Sequence, residues 1–71
     1  MNKNKILTFE EMASLRHDAY NVAIKRRTEL EFGSTERKEI DLLINQYDYG
    51  IAAQEELAMK CLEYGWLKLP T

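Results

Sequence analysis

The chain has a single cysteine, Cys61, and a single histidine, His17. One cysteine closes no intrachain disulfide, and the two residues together fall short of a closed zinc site. Proline occurs once, at Pro70, and glycine three times, so little interrupts the chain before its last residues. No apolar run reaches the roughly 18 residues that span a bilayer, and the polar residues 1–5 lead into no signal-peptide core. A Gly-rich phosphate loop is missing, as is a serine or cysteine placed beside the histidine. These absences set the expectation of a cytoplasmic, non-enzymatic protein without metal or cofactor.

What is present is an ordinary globular composition, 45% hydrophobic and 31% charged. Seventy-one residues make one small domain, residues 1–71, with a frayed stretch at 1–5 and an apolar tail at 65–71. A domain of this size buries only about 60% of its unfolded surface, which makes a lone core marginal. With disulfide and metal excluded, association is the remaining source of stability. The net charge of −2 argues against nucleic-acid binding. Charge is nonetheless unequally divided. Lys3, Lys5, Arg16, Lys25, Arg26 and Arg27 lie in the first half, whereas Glu36, Glu39, Asp41, Asp48, Glu55, Glu56 and Glu63 crowd the second. A basic helix facing an acidic one favours antiparallel pairing, within the chain or between copies.

The helix signals are explicit. Thr8-Phe9-Glu10-Glu11 has the capping-box pattern, in which a hydroxyl and a carboxylate exchange bonds with each other's backbone. Leu7 and Met12 take the staple positions around it. A first helix is expected over about 9–31. Phe32-Gly33-Ser34-Thr35 then breaks it, with Gly33 suited to a left-handed turn and Ser34 or Thr35 to an N-cap. A second helix is expected over about 35–64, stopped at Gly65. Asn45, Asp48 and Gly50 also read as turn residues, and the helix either breaks there or carries Gly50 for a close approach. The continuous helix is preferred because the apolar period runs through the glycine unshifted.

Wound continuously at about 100° per residue, that second helix is apolar on two stripes. Ile40, Leu43, Ile44, Tyr47, Ile51, Ala58, Cys61 and Leu62 form one, and Leu42, Tyr49, Ala53, Leu57 and Tyr64 the other. Two stripes require two neighbours, and the chain offers one other helix. The expected fold is therefore all-α, an antiparallel helical hairpin that dimerises into a four-helix bundle. Leu42, Tyr49, Ala53, Leu57, Tyr64 and Trp66 are the candidate interface.

Two arginines interrupt the apolar arc of the first helix. Arg16 and Arg27, eleven positions apart, return to nearly the same angle with Tyr20 between them. Such guanidiniums either hold an anion, with Tyr20 as a stacking surface, or pair with acids of the second helix or of a second chain. Gln54, polar within the main stripe, either sets register or contacts a ligand. The acids of the second helix point outward without histidines and suit a solvated face better than a metal. The function expected is that of a small regulator or inhibitor, of the kind encoded by phages or mobile elements, that binds itself and another protein. The alternative is sequestration of an anionic nucleotide by Arg16, Tyr20, Arg27 and Gln54. No nucleic acid or membrane is expected as a partner.

Residues 39–47 resemble the second helix of the small hairpin aspartyl-phosphate phosphatases of sporulation. Their Ser-Gln-Glu-Leu-Asp signature would read Arg37-Lys38-Glu39-Ile40-Asp41 here, so the leading serine and glutamine are replaced. In layout the chain is similar to plasmid RNA-binding helical dimers and to phage helical proteins that sequester cyclic nucleotides, without shared residues. No family is identified by these resemblances.

Overall fold

The computed structural model describes residues 7–69. The frayed stretch expected at 1–5, and the last two residues of the tail, lie outside them. Among the described residues every regular element is helical: α1 (Phe9–Arg26), α2 (Thr35–Asn45) and α3 (Ile51–Glu63), with single 3-10 turns at Arg27–Glu29 and Tyr47–Tyr49.

α1 begins where the capping box places it. The Glu11 N–H donates to Thr8 Oγ1 at 3.0 Å, and the Thr8 N–H donates to Glu11 Oε1 at 2.9 Å. Its end comes earlier than expected, at Arg26 rather than near residue 31. A 3-10 turn tightens the last residues, and Leu30 swings to extended backbone (φ −85°, ψ 145°), which lets it pack against the core. Gly33 takes φ +82°, and Ser34 caps α2 by accepting from the Arg37 N–H at 3.1 Å.

The expected continuous second helix is two helices. α2 stops at Asn45, a 3-10 turn follows, and Gly50 reverses into α3 with φ +142° and ψ −176°. That backbone region is essentially reserved for glycine. A Cβ built at Gly50 would meet nothing within 4 Å. Gly50 is thus required by its own dihedral angles and not by a close neighbour. Beyond α3, Gly65 (φ +76°) ends the helix as expected, and the closure has two bonds. The Trp66 N–H donates to the Cys61 carbonyl at 2.9 Å, and the Gly65 N–H to the Leu62 carbonyl at 3.1 Å.

The break changes how the two stripes are satisfied. α3 packs against both α1 and α2, so the chain itself supplies the second neighbour. Contacts that rise together, Arg16 with Gln54, Ala19 with Cys61 and Arg26 with Trp66, set α1 and α3 parallel. Contacts that run oppositely, Arg16 with Tyr47 and Arg27 with Asp41, set α2 antiparallel to α1. The core contains Leu15, Ala19 and Ala23 of α1, Ile40 and Leu43 of α2, and Leu57, Ala58 and Cys61 of α3. Three of the eight are alanines, which lets the helix backbones approach closely. Ile40, Leu57 and Cys61 are the largest side chains fully withdrawn from solvent. Burial of Ile40 and Leu57 contributes about 1.5–3 kcal/mol each. Trp66 and Leu67 fold back onto this core, with the Trp66 ring 5.0 Å from that of Tyr64 and beneath the Arg26 guanidinium.

Candidate functional site

The break at 46–50 frees the Tyr47 carbonyl, which in a continuous helix would accept from the backbone four residues on. Gln54, one turn into α3, replaces that donor with its side chain: Nε2 donates to the Tyr47 carbonyl at 3.1 Å. The other end of the same amide, Oε1, accepts from Arg16 Nε at 3.2 Å. The Tyr47 hydroxyl in turn donates to the Arg16 carbonyl at 3.4 Å. These three bonds form a closed ring that joins α1, the 3-10 turn and α3. Tyr20 lies against it, its ring centroid 4.4 Å from that of Tyr47.

Arg16 is the one charged side chain buried among the described residues, with 8% exposure. No carboxylate of the described residues pairs with it; the acceptor it has is a neutral amide. The network leaves no fully buried side-chain nitrogen or oxygen of the described residues without a partner. Of the residues read as an anion site, Arg16, Tyr20 and Gln54 are therefore brought together. Arg27 is not. It pairs with Asp41 of α2 at 3.1 Å, both side chains partly exposed, as the reading of arginines paired with second-helix acids expected. Arg16 departs from that reading, because the amide of Gln54 holds it where an acid was expected. Turn geometry, which no helical periodicity reports, put Tyr47 into this ring.

The candidate interface residues are divided by the fold. Leu57 is fully buried in the chain's own core, Ala53 is half-buried, and Tyr64 and Trp66 are half-buried against the core. Leu42 and Tyr49 remain exposed, at 54% and 80%. An interface made of all six side chains is thus not presented on the surface. The physical reason is that the break lets α3 pack against both α1 and α2, so its covered arc takes in Leu57 beside Cys61.

Burial alone pushes the Cys61 thiol up to about 11, and its Sγ donates to the Ala19 carbonyl at 3.6 Å. It is a packed small side chain, not a nucleophile poised for reaction. Lys60 is raised above its ordinary value, chiefly by its bond to Glu39 (3.2 Å), with Glu63 adding a second contact at 3.4 Å. Tyr64 is raised mainly by partial desolvation. An open depression between α1 and the returning tail is lined by Glu11, Ser14, Leu15, Asp18 and Lys68. No group of three or more His, Cys, Asp or Glu side chains gathers for a metal ion among the described residues. No described helix is long and apolar enough to cross a membrane.

What the fold and this polar ring define is a small three-helix all-α domain, with a glycine break locked by a glutamine. No protein-family model, curated protein or solved structure matches the chain.

Proposed function

We propose that this chain is a small cytoplasmic, non-enzymatic regulator or inhibitor that acts by binding another protein. One observation carries the reading. With the core closed, large apolar side chains on every helix or its flanking loops, among them Phe9, Phe32, Leu42, Tyr49 and Met59, stay exposed. Single exposed apolar residues are ordinary on a protein surface, but such abundance on so small a domain marks surface kept for contact. The test is capture from a lysate of the source cells with tagged wild type and with a variant carrying serine at Phe9, Phe32 and Tyr49. A protein retained by the wild type and lost by the variant supports the reading. No specifically retained protein overturns it.

Self-association belongs to the same reading, through Leu42 and Tyr49. Sedimentation of the wild type as a monomer at high micromolar concentration removes it.

A second reading has its own observation: Arg16 is buried without a carboxylate. An anionic nucleotide could then take the charge that no described acid neutralises, with Tyr20 alongside. Calorimetric titration with mono-, di- and cyclic nucleotides decides between them. Micromolar uptake lost in Arg16→Ala replaces the protein-binding reading with this one.

A further inference from the structure

Arg16 uses only one of its donor nitrogens inside the fold. Nε bonds Gln54 Oε1 at 3.2 Å, and the two terminal nitrogens have no acceptor among the described residues. No fully buried side-chain nitrogen of those residues lacks a partner, so both terminal nitrogens touch solvent although Arg16 as a whole is 8% exposed. Their position follows from the parallel setting of α1 and α3. A helical side chain leans toward the N-terminus of its own helix. Gln54 does so, since its Nε2 meets the Tyr47 carbonyl, three residues ahead of Gly50. Arg16 leans the same way from α1 and is held by the Gln54 amide, which brings its guanidinium beside the first turn of α3. That turn has free donors of its own. No side chain of the described residues caps α3, and its first turn carries no acid. The Ile51, Ala52 and Ala53 N–H groups have no acceptor among the described residues. Approach to them is open: Ile51 and Ala52 are exposed, and a Cβ built at Gly50 would meet nothing within 4 Å.

We infer that Arg16 and the first turn of α3 together bind a phosphate group. The inference rests on the nucleotide reading above and names the part of the ligand that the chain holds. Two planar guanidinium nitrogens beside a row of backbone N–H groups outnumber the two oxygens of a carboxylate. They suit the three terminal oxygens of a phosphate or phosphate ester. Charge matches as well. A guanidinium and a helix end worth roughly half a positive charge balance a phosphate monoester, which carries about −1.5 to −2 near neutral pH. The burial of Arg16 keeps this attraction from being screened as a surface pair would be. Asp48, exposed in the turn before Gly50, is the acid nearest in sequence, and no bond ties it to the free N–H groups.

The experiment titrates the full chain with inorganic phosphate, adenosine monophosphate and adenosine in chloride buffer at constant ionic strength. Amide NMR spectra locate each ligand, calorimetry gives its affinity, and a circular-dichroism melt checks the fold of each variant. Phosphate is expected to shift the Ile51, Ala52 and Ala53 amides and the Arg16 Nε signal, and adenosine to shift none of them. Arg16→Ala should weaken phosphate binding by about tenfold or more. Because that change also removes a bond from the fold, Ala52→Glu is the second variant. A carboxylate in the first turn favours the helix and repels the ligand. The melting temperature should then hold or rise while phosphate binding falls by about tenfold or more. Absence of phosphate-induced shifts at Ile51, Ala52 and Ala53, or unchanged binding in Ala52→Glu, overturns the proposal. Uptake of the nucleotide that is lost in Arg16→Ala but kept in Ala52→Glu removes this inference and leaves the nucleotide reading standing. Phosphate binding at these amides with no gain for the nucleotide supports the site, assigns it to free phosphate and removes the nucleotide reading. No uptake of either removes both.

Discussion

Arg16 and Gln54, thirty-eight positions apart in sequence, meet through a 3.2 Å bond from Nε to Oε1. Gln54 uses its second polar atom on the Tyr47 carbonyl, so one side chain both holds a buried guanidinium and seals the break before α3. Charge burial and backbone geometry are satisfied by the same amide.

Removing that amide should cost more than removing a surface ion pair. Gln54→Ala leaves the guanidinium and the Tyr47 carbonyl without partners and is expected to destabilise by about 1–3 kcal/mol in urea unfolding. Arg16→Met with Gln54→Leu should cost less than the sum of the single changes, since both polar partners leave together. Arg27→Ala, which breaks a half-exposed pair, should cost about 1 kcal/mol or less, and the loss should shrink in high salt. Equal effects at Arg16 and Arg27 would contradict the assignment of the two arginines.

Gly50→Ala should destabilise although alanine favours helix. The cause is φ +142°, which costs a residue with a Cβ about 1–3 kcal/mol, and not crowding, since space at the Cβ is open. The expected outcome is a lower melting temperature with unchanged sedimentation. A raised melting temperature would show that α2 and α3 join into one helix in solution.

Leu57→Ala separates core from interface. Its side chain is fully buried within one chain, so the substitution should lower unfolding free energy by about 2–5 kcal/mol. The loss should not depend on protein concentration. Tyr49→Asp, at an exposed position, should change the melting temperature little and alter sedimentation if copies pair there.

Cys61 makes stability fall in alkali. Its folded-state value of about 11 lies above the ordinary 9.0, so the unfolded chain loses the proton first as pH rises. The stabilising difference is complete below about pH 9 and lost between there and about pH 11, amounting to about 3 kcal/mol. The measurement is the stability difference between wild type and Cys61→Ala across that window, which should narrow steadily. In the native state the thiol should react with disulfide reagents only at the rate of unfolding.

The start of α1, the turn into α2 and the stop after α3 were legible in the sequence because each is a local event. Thr8 and Glu11, Ser34, Gly33 and Gly65 act through bonds or dihedral angles a few residues apart, and those residues are set by chemical type. The apolar face of α2 was legible for the same reason, since one helical period places Ile40 and Leu43 on the same stripe. The union of Arg16 with Gln54 was not legible, although each residue stood out by itself as a polar group within an apolar stripe. Their meeting depends on the relative placement of two helices, which no local pattern encodes.

The break at 46–50 shows where the division falls. Sequence by itself determined an all-helical chain with a weak point at Asn45, Asp48 and Gly50, because turn-forming residues there lower the cost of leaving the helix. Tertiary structure decided that the helix does leave. Once α3 can lie against both α1 and α2, the chain buries Leu57 and Cys61 without a second copy, and Gln54 replaces the backbone bond the break removes. A straight helix would have left its second stripe in water; folding back covers much of it at the cost of one glycine turn.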